Sequence, residues 1–87
     1  MTSEISTDEL RECAAKLDVR RVRVQSTRKG WTVLCSHISK SSGMLLDSLL
    51  VQANNQPYVF KRVEHAIEKL RACDVFEATI EFKEIPE

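Results

Sequence analysis

Apolar residues along this chain recur with two different periods, and each period marks an element. Leu10, Cys13, Ala14 and Leu17 fall at i, i+3, i+4 and i+7, the spacing of one face of an α-helix. Start signals precede them. Ser6 stands where it can cap the helix, Glu9 completes a capping box, and Ile5 and Leu10 hold the two positions of a hydrophobic staple. Asp8, Glu9 and Glu12 lie near the positive end of the helix dipole. The spacing predicts a helix over about residues 7–17.

From Val22 the period drops to two. Val22 and Val24 alternate with Arg21, Arg23 and Gln25, and Trp31, Val33 and Cys35 alternate with Thr32, Leu34 and Ser36. This is the pattern of half-buried strands. The polar "STRKG" between them, with Gly30 free to take a positive φ, predicts a hairpin turn, so residues 19–38 read as two antiparallel strands. "SKSSG", residues 39–43, reads as a loop. "MLLDSLLV", residues 44–51, fits one side of a short helix and a strand over 48–52 about equally well. "ANNQP" is a turn or loop, because Asn tolerates left-handed geometry and Pro57 disfavours helix at Gln56. A short extended "YVF" leads into a second helix through Val63, Ala66, Ile67 and Leu70. Phe76, Ala78, Ile80 and Phe82 then alternate with Glu77, Thr79, Glu81 and Lys83, which predicts a closing strand with one apolar and one acidic face.

The predicted fold is one α+β domain over residues 1–87. It has a single sheet of three to four mainly antiparallel strands and two helices on one face, in the order α-β-β-(β)-α-β. The expected core is Val22, Trp31, Val33, Ile67, Leu70, Ile80 and Phe82. At 87 residues there is no room for a second core.

Composition changes this picture little. Apolar residues make up 43% and charged residues 30% of the chain, as in ordinary globular proteins. No apolar run approaches the roughly 20 residues needed to span a bilayer, and "MTSEISTDEL" lacks a signal-peptide pattern, so a cytoplasmic location and no membrane partner are expected. Cys13, Cys35 and Cys73 are odd in number, far apart and set at periodic apolar positions, which predicts three reduced core thiols.

Charge is distributed more tellingly. Thirteen basic and thirteen acidic residues cancel, yet "RRVRVQSTRKGWTVLC", residues 20–35, carries five positive charges and no negative one. Two readings follow. If the first and last strands are neighbours, Arg21 and Arg23 pair with Glu77 and Glu81 inside the fold. If they are apart, Arg21, Arg23, Arg28, Lys29 and Trp31, with Lys40 and further Lys61 and Arg62, make a basic surface for phosphates. Trp31 matches the period of Val33, which favours core anchoring over base stacking.

Catalytic patterns are thin, and no enzyme activity or cofactor is expected. His37 and His65 have no acidic residue at metal-ligand spacing, which leaves no metal site. Cys35 and His37 share one face of a strand and would form a Cys–His pair, but no third orienting group is visible beside them. Ser39, Ser41, Ser42 and Gly43 match neither a phosphate loop nor a nucleophile elbow.

"VRVQSTRKGWTVLC", a possible third strand and "YVFKRVEHAIEKL" together resemble the three-strand-plus-helix pattern of AP2-like and integrase arm-type DNA-binding domains over residues 20–72. That resemblance implies a basic and aromatic hairpin (Arg21, Arg23, Arg28, Lys29 and Trp31) lying on DNA and a helix from about Arg62 to Cys73 backing the sheet. This chain differs in lacking a glycine before Phe60 and in adding an acidic strand after the helix. The "PYVFKRVEHAIEKL" part is also similar to short accessory proteins of bacterial plasmids and integrative elements. The helix, three strands, helix order resembles double-stranded-RNA-binding domains, without their basic second-helix start. The leading expectation is a nucleic-acid-binding module of a bacterial mobile element. The alternative is a protein-binding inhibitor or adaptor of the anti-defence kind, working through the acidic strand at Glu77, Glu81 and Glu84.

Overall fold

Residues 3–82 are described by a computed structural model of the chain. The first helix forms as its start signals dictate. Ser6 accepts a hydrogen bond from the Glu9 backbone N–H, and the Glu9 carboxylate accepts one from the Ser6 N–H, so the capping box closes in both directions. This helix, α1 (Thr7–Ala15), buries Leu10 and Cys13. Residues Ser3–Ser6 before it form a short strand, β1. The alternating segments become β2 (Val19–Thr27) and β3 (Gly30–Ile38), joined by a two-residue turn at Arg28 and Lys29. The ambiguous stretch resolves as strand β4 (Leu45–Val51). Helix α2 (Val63–Ala72) buries Ala66 and Leu70, and β5 (Thr79–Glu81) is only three residues long.

All five strands join one sheet in the order β1-β4-β3-β2-β5. The middle three make an antiparallel meander, while β1 runs parallel to β4 and β5 runs parallel to β2. The expected sheet of three to four mainly antiparallel strands is therefore corrected to a five-stranded mixed sheet. The missing strand, β1, has one strongly apolar residue, Ile5, too few to show a period. Ile5 aligns with Leu50 and is 2% exposed, so it enters the core as a strand residue.

Register sorts the side chains between two faces. Val22 opposes Cys35 and Val24 opposes Val33. With Ile5 and Leu50 they form one apolar layer, against which α1 places Leu10 and Cys13 and α2 places Ala66 and Leu70. The opposite face carries Arg21 against Ser36 and Arg23 against Leu34. A register shift between Val19 and Arg21 keeps Val19 opposite His37 while the later residues fall into step.

Several expected core positions move outward. Val22, Val33 and Leu70 are buried, and Trp31 and Ile80 are half-buried against the core. Ile67 is 38% and Phe82 80% exposed. The closing strand is shorter than its alternation implies, because Val75 rather than Phe76 enters the core. Gly30 holds the hairpin against the α2 side. Its φ is +145°, and a Cβ there would stand 2.4 Å from the Phe60 carbonyl oxygen. That close approach permits the paired hydrogen bonds between Trp31 and Phe60, Trp31 N–H to Phe60 O at 2.7 Å and Phe60 N–H to Trp31 O at 2.8 Å.

Candidate functional site

The basic residues of the hairpin are divided among separate surfaces. Arg21 and Arg23 lie on the sheet face away from the helices, and each meets a carboxylate: Arg21 with Glu81 at 3.8 Å and Arg23 with Asp47 at 3.8 Å. Glu81 also accepts a 2.7 Å hydrogen bond from Gln25, and Asp47 accepts one at 2.5 Å from Ser36. The neighbouring of β2 and β5 is what brings Arg21 to Glu81. Arg28 and Lys29 stand at the hairpin tip. Lys40 follows the far end of β3 and pairs with Glu12 of α1. The nine residues of β3 separate the tip from Lys40, a span on the order of 25 to 30 Å at a strand's rise. Pairing lowers the Glu12 carboxyl below its usual range, chiefly through the Lys40 hydrogen bond, and raises Lys40 correspondingly.

Trp31 faces the opposite side from Arg21 and Arg23. Its ring meets Phe82 edge-on at 5.3 Å, while Tyr58 and Phe60 stack at 5.3 Å and the Lys69 ammonium lies over Tyr58. The tryptophan is thus an anchor between the hairpin and the "YVF" segment.

A polar chain crosses the core beneath α1. The Ser48 hydroxyl, fully buried, contacts Ser3 Oγ at 2.5 Å and His37 Nε2 at 2.7 Å. His37 Nδ1 faces Cys13 Sγ at 4.0 Å. Cys35 and His37, on one face of β3, do not pair; Cys35 is wholly buried between β2 and β4, and its thiol is pushed up to about 12 by burial. Burial likewise raises Cys13 and Cys73. In a serine triad the inner histidine nitrogen meets a carboxylate that stabilises imidazolium. Here a thiol holds that place, and it cannot offer that charge while protonated. The chain ties β1 to β4 and β3 and satisfies their buried polar groups. No cluster of three or more metal-ligating side chains occurs among the described residues.

Exposed apolar side chains lie near the β5 edge, as they do at Leu17 and, around the start of β4, at Met44 and Leu45. Phe76 is 74% exposed, Phe82 80% and Ile67 of α2 38%. Between α2 and the 75–80 segment runs a groove of about 480 Å³, lined by Ile67, Leu70, Val75, Phe76, Ala78 and Ile80 with Arg71 and Glu77. On the other side of the same segment a cleft of about 510 Å³ separates it from the start of β2 and the end of α1, with Leu17 and Phe76 among its lining residues. Among the described residues β5 pairs with β2 only at Arg23–Gln25 and has no strand on its outer side.

Sequence reasoning placed Glu77 and Glu81 on the closing strand, whereas β5 holds only Glu81 and Glu77 precedes it, and it missed Ile67 and Phe76 as surface residues. Their period matched a core face, and period alone does not report whether a layer covers it. Glu77 is exposed, Glu81 is half-buried, and Glu84 lies outside the described residues. No family model, curated protein or solved structure matches the chain. No helix among the described residues is long and apolar enough to cross a membrane.

Proposed function

We propose that this chain is a non-enzymatic, cytoplasmic protein-binding module that takes an extended segment of a partner at the β5 edge. The observation that carries the reading is the juxtaposition of β5, the outer strand among the described residues, with a groove lined by exposed Ile67 and Phe76. An edge strand offers unpaired backbone groups to an added strand, and a neighbouring groove reads its alternate side chains. Burying such side chains contributes about 25 cal/mol per Å² of apolar surface. The cytoplasmic part rests on three free thiols held as core residues.

Nucleic-acid binding through the hairpin has less support. Arg21, Arg23 and Lys40 already face carboxylates, Trp31 turns to the other side of the sheet, and Lys40 stands far from the tip. Selection of random peptides on the immobilised protein, followed by binding to Ile67→Asp and Phe76→Asp variants, tests the proposal. Enriched peptides that lose at least about tenfold in affinity on both substitutions support it. A low-salt gel shift with duplex DNA, single-stranded DNA or RNA, abolished by Arg28→Gln with Lys29→Gln, replaces it with the nucleic-acid reading.

A further inference from the structure

We propose that the extended segment taken at the β5 edge is β5 of a second copy of this chain, the two strands pairing antiparallel about a two-fold axis at Ile80. This rests on the reading of β5 as a docking edge and names its occupant.

An axis at Ile80 sets the partner of each neighbouring residue. Thr79 falls opposite Glu81 and Ala78 opposite Phe82, and symmetry makes each pair occur twice. Size is matched in that register. Ile80 lies beside Val24 of the core layer, so by alternation Ala78 and Phe82 share its face, the one that carries α2. Ala78 is a small, exposed residue in the lining of the α2 groove, with Ile67, Phe76 and Ile80. Phe82 is 80% exposed and meets only the edge of Trp31 among aromatic rings. Each copy thus presents one ring and one hollow, and the two-fold brings the ring of each over the hollow of the other.

Charge and area both permit this pairing. Arg20 and Arg21 line the cleft on one side of the 74–79 segment and Arg71 the groove on the other, which balances Asp74, Glu77 and Glu81. Across residues 78–82 no like charges meet, because Glu81, held by Arg21 and Gln25, faces Thr79. Phe76 and Phe82, 74% and 80% exposed, bring about 300 Å² of accessible surface per copy, taking about 200 Å² for a whole aromatic side chain. Two copies bring about 600 Å², and Ile67, Ala78 and the two strand edges carry the total to about 1,000 Å², the lower bound for a specific interface. An interface of that size gives a concentration-dependent dimer.

Analytical ultracentrifugation of the full chain over a range of concentrations should show a monomer–dimer equilibrium. Phe82→Asp and Ile67→Asp should each weaken the dimer by at least about tenfold, while Leu45→Asp, at an exposed apolar residue of β4, should leave it unchanged. Cross-linking reads the register. Ile80→Cys should form a disulfide between copies under mild oxidation, since directly opposed residues of an antiparallel pair hold their Cα atoms about 4.5–5.5 Å apart. Thr79→Cys, two positions out of step with its own copy and so about 8 Å from it, should not. The three native thiols are buried. A chain that stays monomeric, a dimer unmoved by Phe82→Asp, or a dimer that does not cross-link through Ile80→Cys overturns the inference. Peptides selected on the protein keep that result apart from the docking reading, because they should still bind the Phe82→Asp monomer and lose affinity on Ile67→Asp. A monomeric chain that binds such peptides leaves β5 as a docking edge for another protein. A monomeric chain with no selected peptide sensitive to Ile67 and Phe76 removes the docking reading as well.

Discussion

Leu70→Ala and Ile67→Ala, three residues apart on α2, should have very different costs. Leu70 is 1% exposed and belongs to the layer formed with Val24, Val33 and Ala66. Truncating it removes buried apolar atoms and leaves a void under the helix, and such changes cost about 2–5 kcal/mol. A central value near 3 kcal/mol, at about 4–8 °C per kcal/mol for a domain this small, lowers Tm by roughly 12–24 °C. Ile67 is 38% exposed beside an open groove, so water fills the space its side chain vacates. Its truncation should cost about 1 kcal/mol. Thermal unfolding followed by far-ultraviolet circular dichroism, with urea titrations at 25 °C, measures both. Leu70→Met, which keeps the volume, should stay within about 1.5 kcal/mol and remains measurable if the alanine variant is unfolded. Ile67→Ala costing as much as Leu70→Ala would refute the helix phase, and with it the exposed groove.

The thiols make stability depend on alkaline pH. Cys35 is raised in the folded state from 9.0 to about 12, so the unfolded chain releases that proton first, and stability should fall as pH rises from about 9 towards 12, by up to about 1.4 kcal/mol per unit. Urea midpoints at pH 8 and pH 10.5 should differ, and less so in Cys35→Ala; mild thiol reagents at pH 8 should label the native chain slowly and the denatured chain fully. A double-mutant cycle of Arg21→Gln and Glu81→Gln should give a coupling of about 0.2–1 kcal/mol that shrinks with salt, since the Arg21 side chain is 57% exposed; a coupling near zero at low salt would remove this pair as the account of the hairpin charges. Gly30→Ala should destabilise by at least about 1–3 kcal/mol, from the positive φ together with the clash at the Phe60 carbonyl. An unchanged urea midpoint would mean that the hairpin is not held against Phe60.

What the sequence determined on its own is what short-range chemistry encodes. The start of α1 was legible because Ser6 and Glu9 cap it within four residues, and the hairpin because Val22, Val24, Trp31 and Val33 alternate about a turn that needs a glycine. Tertiary structure decided the rest, because pairing between distant segments leaves no local mark. Ser3–Ser6 becomes a strand only against Ser48–Val51, some 45 residues away. The 44–51 stretch, open between helix and strand, is settled by β3 on one side and β1 on the other. Sheet order puts β5 beside β2, which turns an excess of arginine into a pair with Glu81. Strand register turns Trp31 away from Arg21 and Arg23. Ile67 and Phe76 have a core-like period in the sequence, but only the packed fold shows that no layer covers them, since periodicity records a face and burial requires a second surface to meet it.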